Sequence, residues 1–419
     1  MVSKLGTDRE CEFRVDGRRQ FVRGGPLQPG LLVALLLFLV REGHRRGYDR
    51  MLEAFWDEAQ SYDIALPTEQ PVSKQAFCAA RRRLPSGHVR DLVRQAAGTF
   101  DTVHGGQLRW HGRRLLAVDG ARRSVQASDE LVRECGRSSG AHYPQVHVST
   151  LFDVVSHVPL DVEVGPSGTD ERAQLMRHLE HARAGDVLVL DAGYPAFDVF
   201  ATLLEQGCDV ICRLPTSNTF GGVVDFVESG AREAWIVLDP PGKSSARALG
   251  PIHMRALRVP RKDDTFWVLL TTLDESEFSY DAIVDGYTRR WRIEEYYKLL
   301  VAPYFHQGMF HARNMDGVRQ EIYAQMLFVV LSQHLAAVAA KRHAVPYREL
   351  SQKAAILAVG DHLTRLVLSR PIDRARPDLE RLMRRIARAR EKPRPGRSSP
   401  RVSLQPLPRW GRKGRRIGG

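Results

Sequence analysis

The sequence predicts an α/β protein in which helices flank a mixed β-sheet, with an N-terminal helical domain, an antiparallel β insertion and a basic C-terminal tail. The hydrophobic pattern is helical up to about residue 105 and then changes to short apolar strands. Three consecutive strands are followed by strand–helix alternation, which is typical of a mixed sheet with helices packed on it. With 419 residues, 43% of them hydrophobic, the chain is long enough for two or three domains and a large core.

Residues 1–105 are predicted to form a helical domain that binds DNA. Its third helix follows Ser73, a suitable N-cap, and carries Lys74, Arg81 and Arg82. A basic helix after a short turn is a common way to enter a DNA groove, but a helix face exposed to solvent has the same composition. Both interpretations stay open at this point. The predicted helices are Leu31–Arg41, Met51–Gln60 and Lys74–Leu84.

Residues 106–370 are predicted to form the domain that contains the sheet. Asp186–Leu190 is a continuous apolar strand, so it is expected in the interior of the sheet. From about 215 to 275, short β segments alternate with turn-forming residues, which indicates an antiparallel insertion. The other predicted strands are Arg114–Val118, His147–Val154, Pro159–Val164 and Asp209–Leu214, and the predicted helices are Asp170–Ala182, Phe197–Gln206, 287–301 and Gly317–Lys341.

Residues 371–419 are predicted to be a disordered basic tail. After Arg381 this segment combines many arginines and lysines with prolines, glycines and a single acid, Glu391. A segment of this composition buries too little apolar surface to fold by itself. The tail is expected to add salt-dependent contacts to phosphate groups or to hold a second subunit.

The overall charge indicates the class of partner. A formal net charge of +13 and a pI of about 9.8 favour a polyanion, either nucleic acid or an anionic membrane surface. The longest apolar run, Leu31–Val40, is about half of the roughly 20 residues that a spanning helix needs, and it starts too late for a signal peptide. Nucleic acid is therefore the expected partner and no membrane is expected. Five scattered cysteines indicate a reducing cytoplasm rather than a disulfide framework.

Two aspartates stand where a sheet can gather catalytic groups. Asp119 and Asp191 each follow directly on a predicted apolar strand, and open sheets bind ligands at strand ends. If the two strands are neighbours, the carboxylates lie side by side, which is unfavourable unless a cation joins them. Oxygen ligands suit Mg²⁺ or Mn²⁺, and a third acid would complete a two-ion site for in-line attack on a phosphodiester. A single aspartate at a strand end is more often a turn former or a helix cap.

The third acid is predicted on the helix over 287–301. In a continuous helix Tyr287, Arg290 and Glu294 fall on one stripe, so Glu294 can reach a metal while the other two face the same cleft. Glu295 is the competing acid, but it lies about 100° further round the helix. It is better explained as the ion-pair partner of a neighbouring cation.

These acids and the residues around them resemble the DDE transposases of bacterial insertion sequences, in the branch with a Tyr-Arg-Glu-Lys signature. The matching segments are Val-Asp-Gly-Ala around Asp119, Leu-Asp-Ala-Gly-Tyr around Asp191, and Arg-Arg-Trp-Arg-Ile-Glu-Glu-Tyr-Tyr-Lys around Glu294. The resemblance covers about residues 70–345. It implies an RNase H-like core with a β insertion before the glutamate, and two Mg²⁺ (or Mn²⁺) ions held by Asp119, Asp191 and Glu294.

The resemblance also implies DNA contacts close to the third acid. Arg290 and Tyr287 are expected to hold phosphate at the end of the element, and Trp291 to stack on a base drawn out of the duplex. Unstacking a base costs a few kcal/mol, and stacking on an aromatic ring returns about 1–3 kcal/mol. Tyr296 and Tyr297 are better explained as core residues.

One position departs from the family pattern. The family has a lysine seven residues after the glutamate, and this chain has Val301 there. Lys298, four residues after the glutamate, is one candidate to replace that lysine in contacting DNA. His306 and His311 are two others.

The implied activity is metal-dependent cleavage and strand transfer at terminal inverted repeats, by cut and paste through a hairpin. A homodimer on double-stranded DNA, in the cytoplasm of a bacterium and associated with its nucleoid, would carry it out. A metal nuclease that cuts without joining would need the same carboxylates. A catalytically decayed relative that only binds DNA is the other alternative, favoured by Val301 and opposed by the three intact acids.

Overall fold

The computed structural model confirms the predicted α/β class. It describes residues 14–15, 18–22, 24–42, 47–136, 141–215, 220–242, 250–261, 265–301, 310–368 and 376–391. The strands are β1 Arg14–Val15, β2 Arg18–Arg19, β3 Leu115–Ser124, β4 Gln145–Asp153, β5 Val158–Pro166, β6 Val187–Leu190, β7 Asp209–Arg213, β8 Glu233–Leu238, β9 Ile252–Pro260 and β10 Phe266–Thr271. The helices are α1 Pro29–Glu42, α2 Tyr48–Ser61, α3 Lys74–Arg83, α4 Ser86–His104, α5 Asp129–Cys135, α6 Glu171–His178, α7 Phe197–Glu205, α8 Gly221–Ser229, α9 Tyr280–Arg289, α10 Trp291–Val301, α11 Met315–Arg342, α12 Gln352–Gly360, α13 Leu363–Leu368 and α14 Arg376–Arg388.

Within the described residues, eight strands form one mixed sheet in the order β5-β4-β3-β6-β7-β10-β9-β8. β3, β4 and β5 are antiparallel neighbours, whereas β6 and β7 run parallel to β3. Parallel neighbours need a crossover connection, and α6 and α7 supply the crossovers into β6 and β7. This strand order confirms the predicted RNase H-like sheet flanked by helices.

The predicted insertion over about 215–275 holds three antiparallel strands, β8, β9 and β10. These strands are not a separate sheet, because β10 pairs with β7 and so extends the main sheet at that edge. The segment also begins with a helix, α8, which the sequence analysis did not predict. The insertion therefore extends the main sheet and does not form a separate domain.

Alternate residues of the central strands face two different hydrophobic cores. Leu115 and Ala117 of β3 belong to the core shared with α9, α10 and α11, whereas Leu116 and Val118 belong to the core formed with α6, α7 and α8. Successive side chains of a strand point to opposite faces of the sheet, so Asp119 continues the first set. Its side chain therefore projects to the side of the sheet that α9 and α10 cover.

The N-terminal helices do not have a core of their own. α1 and α4 pack along α11, which lies near the other end of the chain. Their apolar side chains join the same core as the α9–α11 face of the sheet. The predicted division at residue 105 therefore does not separate two hydrophobic cores.

Arg81 is buried between α3 and α11 instead of facing solvent. Its guanidinium donates to Glu321 Oε1 at 3.1 Å and to Gln320 Oε1 at 3.0 Å, and its side chain is 6% exposed. A guanidinium with these internal acceptors does not reach a phosphate group, so the structure does not support Arg81 as a DNA contact. Lys74 and Arg82 of the same helix remain exposed.

The predicted disordered tail begins with an ordered helix. α14 packs against α11 and α12, and it buries Leu382, Met383 and Ile386 in the main core. The prediction of disorder from 371 is therefore wrong for Arg376–Arg388, since the arginines lie on one side of a helix whose other side is apolar. Residues 392–419, with Trp410, lie outside the described residues.

α11 is the central helix of the larger core. By length and composition it is apolar enough to cross a membrane, but 78% of its most apolar 18-residue window is buried inside the protein. Such burial is typical of the core helix of a globular protein. The sequence analysis had named Leu31–Val40 as the longest apolar run, and that run is also buried, as part of α1.

Candidate active site

Asp119 and Asp191 lie at the same level on two neighbouring parallel strands. β3 and β6 pair with Ala117 opposite Val189, so two residues further on Asp119 stands opposite Asp191. β6 ends one residue before Asp191, whereas β3 continues past Asp119 and stays paired with β4. The prediction that a strand ends at Asp119 is wrong, but the register still brings the two carboxylates together.

Burial raises the pKa of Asp119 to about 6, and the negative charges of Glu294 and Asp191 add to the rise. The Gly120 N–H, which donates to Asp119 Oδ1 at 2.9 Å, and the Arg290 guanidinium act in the opposite direction. The three carboxyl groups therefore lie within electrostatic reach of one another. A cation at this point would relieve their repulsion.

The helix predicted over 287–301 is interrupted at Arg290, which stands between α9 and α10. Gly286 lets α9 lie close to the sheet, because a Cβ added there would be 2.9 Å from Trp110 Cζ2 and would force a shift. This close approach places Tyr287, the next residue, beside Asp191.

Arg290 bridges two of the acids. Its Nη2 lies 3.1 Å from Glu294 Oε1 and 3.6 Å from Asp191 Oδ2. The Tyr287 hydroxyl donates to Asp191 Oδ1 at 3.5 Å, the outer limit for a hydrogen bond. The structure thus brings Tyr287, Arg290 and Glu294 to the aspartates, despite the break between the two helices.

Arg213 is a site residue that the sequence analysis did not identify. Its Nη2 lies 2.8 Å from Asp191 Oδ1, so Arg213 and Arg290 hold Asp191 between them. β6 and β7 pair with Leu190 opposite Cys212, which places Arg213 opposite Asp191. The available signal was that Arg213 stands near the end of the predicted strand Asp209–Leu214, which follows the strand before Asp191 along the chain.

Tyr297 anchors the strand that carries the first aspartate. Its hydroxyl donates to the Asp119 carbonyl oxygen at 2.7 Å, and the ring is buried between α10 and the sheet. The neighbouring Tyr296 stacks on Phe152, with ring centroids 4.7 Å apart. The prediction that both tyrosines are core residues is confirmed, and Tyr297 also fixes the distance between α10 and β3.

The other predicted DNA contacts lie on exposed surface. Trp291 is 38% exposed at the start of α10, and Lys298 Nζ lies 4.9 Å from the centroid of its ring, a cation–π arrangement. Lys74 pairs with Asp49 at 3.0 Å, and both side chains are more than half exposed. Arg82, on the same helix as Lys74, is exposed as well.

The candidates to replace the family's lysine can now be placed. Val301 ends α10. Lys298 lies over the exposed indole ring described above. His311 Nδ1 is 3.7 Å from Glu321 Oε2, in the buried cluster around Arg81. His306 lies outside the described residues. Within the described part of the chain, Arg213 is a second cation beside Asp191, in addition to Arg290.

The donor types at this site fit a divalent cation. Three carboxylates supply hard oxygen ligands of the kind that Mg²⁺ and Mn²⁺ prefer, and Glu294 and Asp191 both act electrostatically on Asp119. In the part of the chain that the structure describes, however, no three acidic, histidine or cysteine side chains are close enough to hold one ion. Arg290 stands between Asp191 and Glu294, so these carboxylates must exchange arginine for metal when an ion binds.

A second polar cluster contains a serine, a histidine and an aspartate, the residue types of a hydrolase active site, but a substrate cannot reach these side chains. Ser149 Oγ lies 3.0 Å from His178 Nε2, and His178 Nδ1 lies 2.9 Å from Asp161 Oδ2. All three side chains are at most 1% exposed. Burial opposes the ionisation of Asp161, but hydrogen bonds from His178 and Arg90 outweigh it and hold the pKa of that carboxyl well below its usual range. The cluster therefore ties α4 and α6 to the sheet and does not form a reaction site.

Two known proteins are similar to this chain. The chain is 25% identical to the transposase InsG for insertion sequence element IS4 of Escherichia coli (strain K12) over 277 residues, which are 63% of this chain and 62% of that protein. The chain thus spans less than two thirds of the length of this curated relative. A cryo-EM structure of the piggyBac transposase synaptic complex with hairpin DNA has 11% sequence identity and a TM-score of 0.44, over 91% of this chain and 81% of that one.

A family model described as the transposase DDE domain matches residues 110–331. This match covers more than half of the chain and includes Asp119, Asp191 and Glu294. The chain therefore belongs to the transposase DDE domain family.

Proposed function

We propose that this protein is the transposase of an insertion sequence, which binds terminal inverted repeats and cuts and joins DNA strands with Mg²⁺ or Mn²⁺. The observation that carries the proposal is that Asp119, Asp191 and Glu294 lie within electrostatic reach of one another, beside the paired strands β3 and β6. Arg290 contacts two of the three carboxylates, those of Asp191 and Glu294. Family membership and the similarity to an IS4 transposase support it.

In this proposal the three carboxylates hold the divalent ions. Bound there, the ions lower the pKa of a water molecule and stabilise charge on the scissile phosphate. Glu294 is 26% exposed and Asp191 32% exposed, so both carboxylates are open to an ion and to a DNA strand. Tyr297 holds the backbone at Asp119, which keeps that carboxylate in place.

The cations at the site then bind the DNA. Metal bound at the carboxylates would take the place of Arg290 and Arg213 beside Asp191, and both guanidinium groups would then be available to phosphate oxygens. Arginine suits this role because its guanidinium can bind two phosphate oxygens at once. Tyr287 adds a hydroxyl donor on the same side, and Trp291 offers an exposed ring on which an unpaired base can stack.

The reaction follows from one attack repeated with different nucleophiles. Water attacks the phosphodiester at the end of the element, the P–O3′ bond breaks, and the leaving oxygen takes up a proton as a free 3′-hydroxyl. That hydroxyl attacks a phosphodiester of the opposite strand, which forms a hairpin and releases the 3′-hydroxyl of the flanking DNA. A second water molecule opens the hairpin and frees the 3′-hydroxyl again. It then attacks a phosphodiester of target DNA, whose broken P–O3′ bond leaves a 3′-hydroxyl on the target. Because two ends of the element must be joined, the proposal includes a homodimer bound to double-stranded DNA. It also places the protein in the bacterial cytoplasm, at the nucleoid.

The first test is cleavage of a labelled duplex that carries the DNA flanking this gene. With Mg²⁺ or Mn²⁺ we expect a nick at the end of the repeat, and with chelator no nick. Glu294→Gln should lower the cleavage rate by about a thousandfold, because loss of a metal ligand removes roughly 4 kcal/mol of transition-state stabilisation.

The matched control for that test is the next residue. Glu295→Gln removes a carboxylate that pairs with Arg292 at 2.9 Å on the exposed side of α10, so it should leave the rate near that of the wild type. If Glu294→Gln cut as fast as the control, Glu294 would not be the third ligand. Strand-transfer products in the same assay would separate a transposase from a nuclease that only cuts.

The alternative is a catalytically decayed transposase that acts only by binding DNA, and Val301 is the residue that favours it. Val301→Lys restores the family's cation at the end of α10. We expect cleavage to be unchanged or up to about tenfold faster, since one added charge-assisted hydrogen bond to phosphate is worth about 1.4 kcal/mol.

The outcome of this substitution separates the two candidates. A wild-type protein that binds the repeats without cutting in either metal, and cuts once Val301 is lysine, would identify a decayed enzyme. A large loss of activity in Val301→Lys would show instead that this chain uses the position in another way.

A further inference from the structure

Two cavities lie side by side on the far side of α10 from the carboxylates. One of about 660 Å³ is lined by Lys298 and Lys353, and one of about 810 Å³ by Lys341 and Arg348. Arg292 and His157 line both cavities, so the two are adjacent. We call this surface the basic groove.

The basic groove carries a strong positive charge. Eight arginines and lysines line the two cavities, against three carboxylates, those of Asp285, Glu295 and Glu391. The cations are spread along the groove and do not converge on one point. A spread of this kind fits an extended polyanion better than a small anionic metabolite, whose charges would need a single centre.

The three carboxylates of the groove are held in weak ion pairs. Arg292 lies 2.9 Å from Glu295 and 3.6 Å from Glu391, and Arg289 lies 2.8 Å from Asp285. All of these side chains are between 38% and 50% exposed. Exposed pairs of this kind contribute at most about 1 kcal/mol, so phosphate groups can replace the carboxylates at little cost. Two other groove arginines, Arg109 and Arg390, pair with carboxylates outside the lining, Asp101 at 2.6 Å and Glu349 at 3.5 Å.

The helices α9 and α10 connect the groove to the carboxylate site. On α9, Tyr287 points to Asp191 whereas Arg289 lines the groove. On α10, Glu294 contacts the site arginine, whereas Arg292 lies in the groove about 160° round the helix. DNA in the groove would therefore touch the same two helices that hold the third acid.

We propose that the basic groove binds the phosphate backbone of the DNA next to the segment that is cut. The exposed Trp291 lies on α10 beside Lys298, which lines the groove, so a strand leaving the carboxylates reaches the groove by passing Trp291. This inference rests on the proposed function and adds to it a second DNA contact outside the carboxylate site.

The test uses three exposed cations of the groove, replaced together as Lys341→Gln, Arg348→Gln and Lys353→Gln. Binding of a fluorescent duplex of the repeat and its flank is measured by anisotropy over a range of salt. For three lost phosphate contacts we expect the slope of log affinity against log salt to fall by about 2.7. One decade below 1 M, at 0.1 M salt, this difference in slope corresponds to roughly 500-fold weaker binding. The cleavage rate at saturating duplex should stay at the wild-type value, while the half-saturating concentration rises.

The control removes the same charge elsewhere. Arg133, Arg177 and Arg232 are exposed and lie outside the groove, so their replacement by glutamine should leave both affinity and slope near wild type. Equal affinity and slope in the groove variant and this control would overturn the inference while the proposed function stands. A wild-type protein that neither binds nor cuts the duplex would instead overturn the proposed function.

Discussion

Asp191→Asn is expected to stop strand cleavage and to leave DNA binding unchanged or tighter. Asparagine keeps the shape of the side chain but removes the charge that a metal ion needs, so we expect the rate to fall by about a thousandfold or more. Arg213 and Arg290, which lie 2.8 Å and 3.6 Å from Asp191, would lose an anionic competitor and bind phosphate more readily.

Cleavage and binding of the same labelled duplex should be measured together for this variant. Asp225→Asn makes the same chemical change at an exposed position on α8, so it reports any effect of charge alone. Cleavage by Asp191→Asn at the rate of this control would show that the carboxylate does not hold a catalytic ion. A loss of DNA binding without a loss of folding would mean that Asp191 contacts DNA directly.

The positions of the three acids were predictable because local patterns determine them. An apolar run followed by an aspartate predicts a strand that ends at the aspartate, and β6 does end one residue before Asp191. Spacing on a helix predicts which side chains share a face, and Tyr287, Arg290 and Glu294 do meet although the helix is broken between them. The break itself has no Gly or Pro signal at Arg290 and follows from packing.

Arg213 and Tyr297 were not predicted as parts of the site because their roles depend on strand order. Arg213 contacts Asp191 only since β7 lies beside β6, a pairing between segments that are separated in sequence. Tyr297 was predicted as a core residue, and its ring does pack in the core. Its hydrogen bond to the Asp119 carbonyl depends on where α10 crosses the sheet, and the hydrophobic periodicity of the sequence does not predict that position.

Charge content misled the predictions at both ends of the chain. The arginines of α14 hid its apolar face of Leu382, Met383 and Ile386, which packs into the core. In α3, three consecutive arginines indicated one basic surface, yet Arg81 turns inward and its neighbour Arg82 does not. Whether a charged side chain is buried depends on a partner in space, and the partner of Arg81 is Glu321, far along the chain.

Arg81→Ala is expected to destabilise the fold by about 3–5 kcal/mol, the cost of leaving one partner of a buried ion pair alone. Glu321 would keep the N–H groups of His311 and Ala312, at 2.8 Å and 3.0 Å, but would lose its cation. The pair joins α3 to α11, so the N-terminal helices would loosen first. Arg81→Met combined with Glu321→Leu should recover only part of the loss, because the apolar pair removes both buried charges but leaves the N–H groups of His311 and Ala312 without the Glu321 acceptor.

Arg82→Ala separates this structural role from the DNA contact that the sequence predicted for both arginines. Arg82 is exposed, so its replacement should change the free energy of unfolding by less than about 0.5 kcal/mol while lowering DNA affinity if α3 reads DNA. The measurements are urea denaturation and duplex binding for both single variants. If Arg81→Ala left the urea midpoint unchanged and weakened DNA binding, the buried pair would not hold α3 on α11. A large shift of the midpoint for Arg81→Ala, together with weaker DNA binding and no midpoint shift for Arg82→Ala, would mean that α3 contacts DNA from the side that carries Lys74 and Arg82.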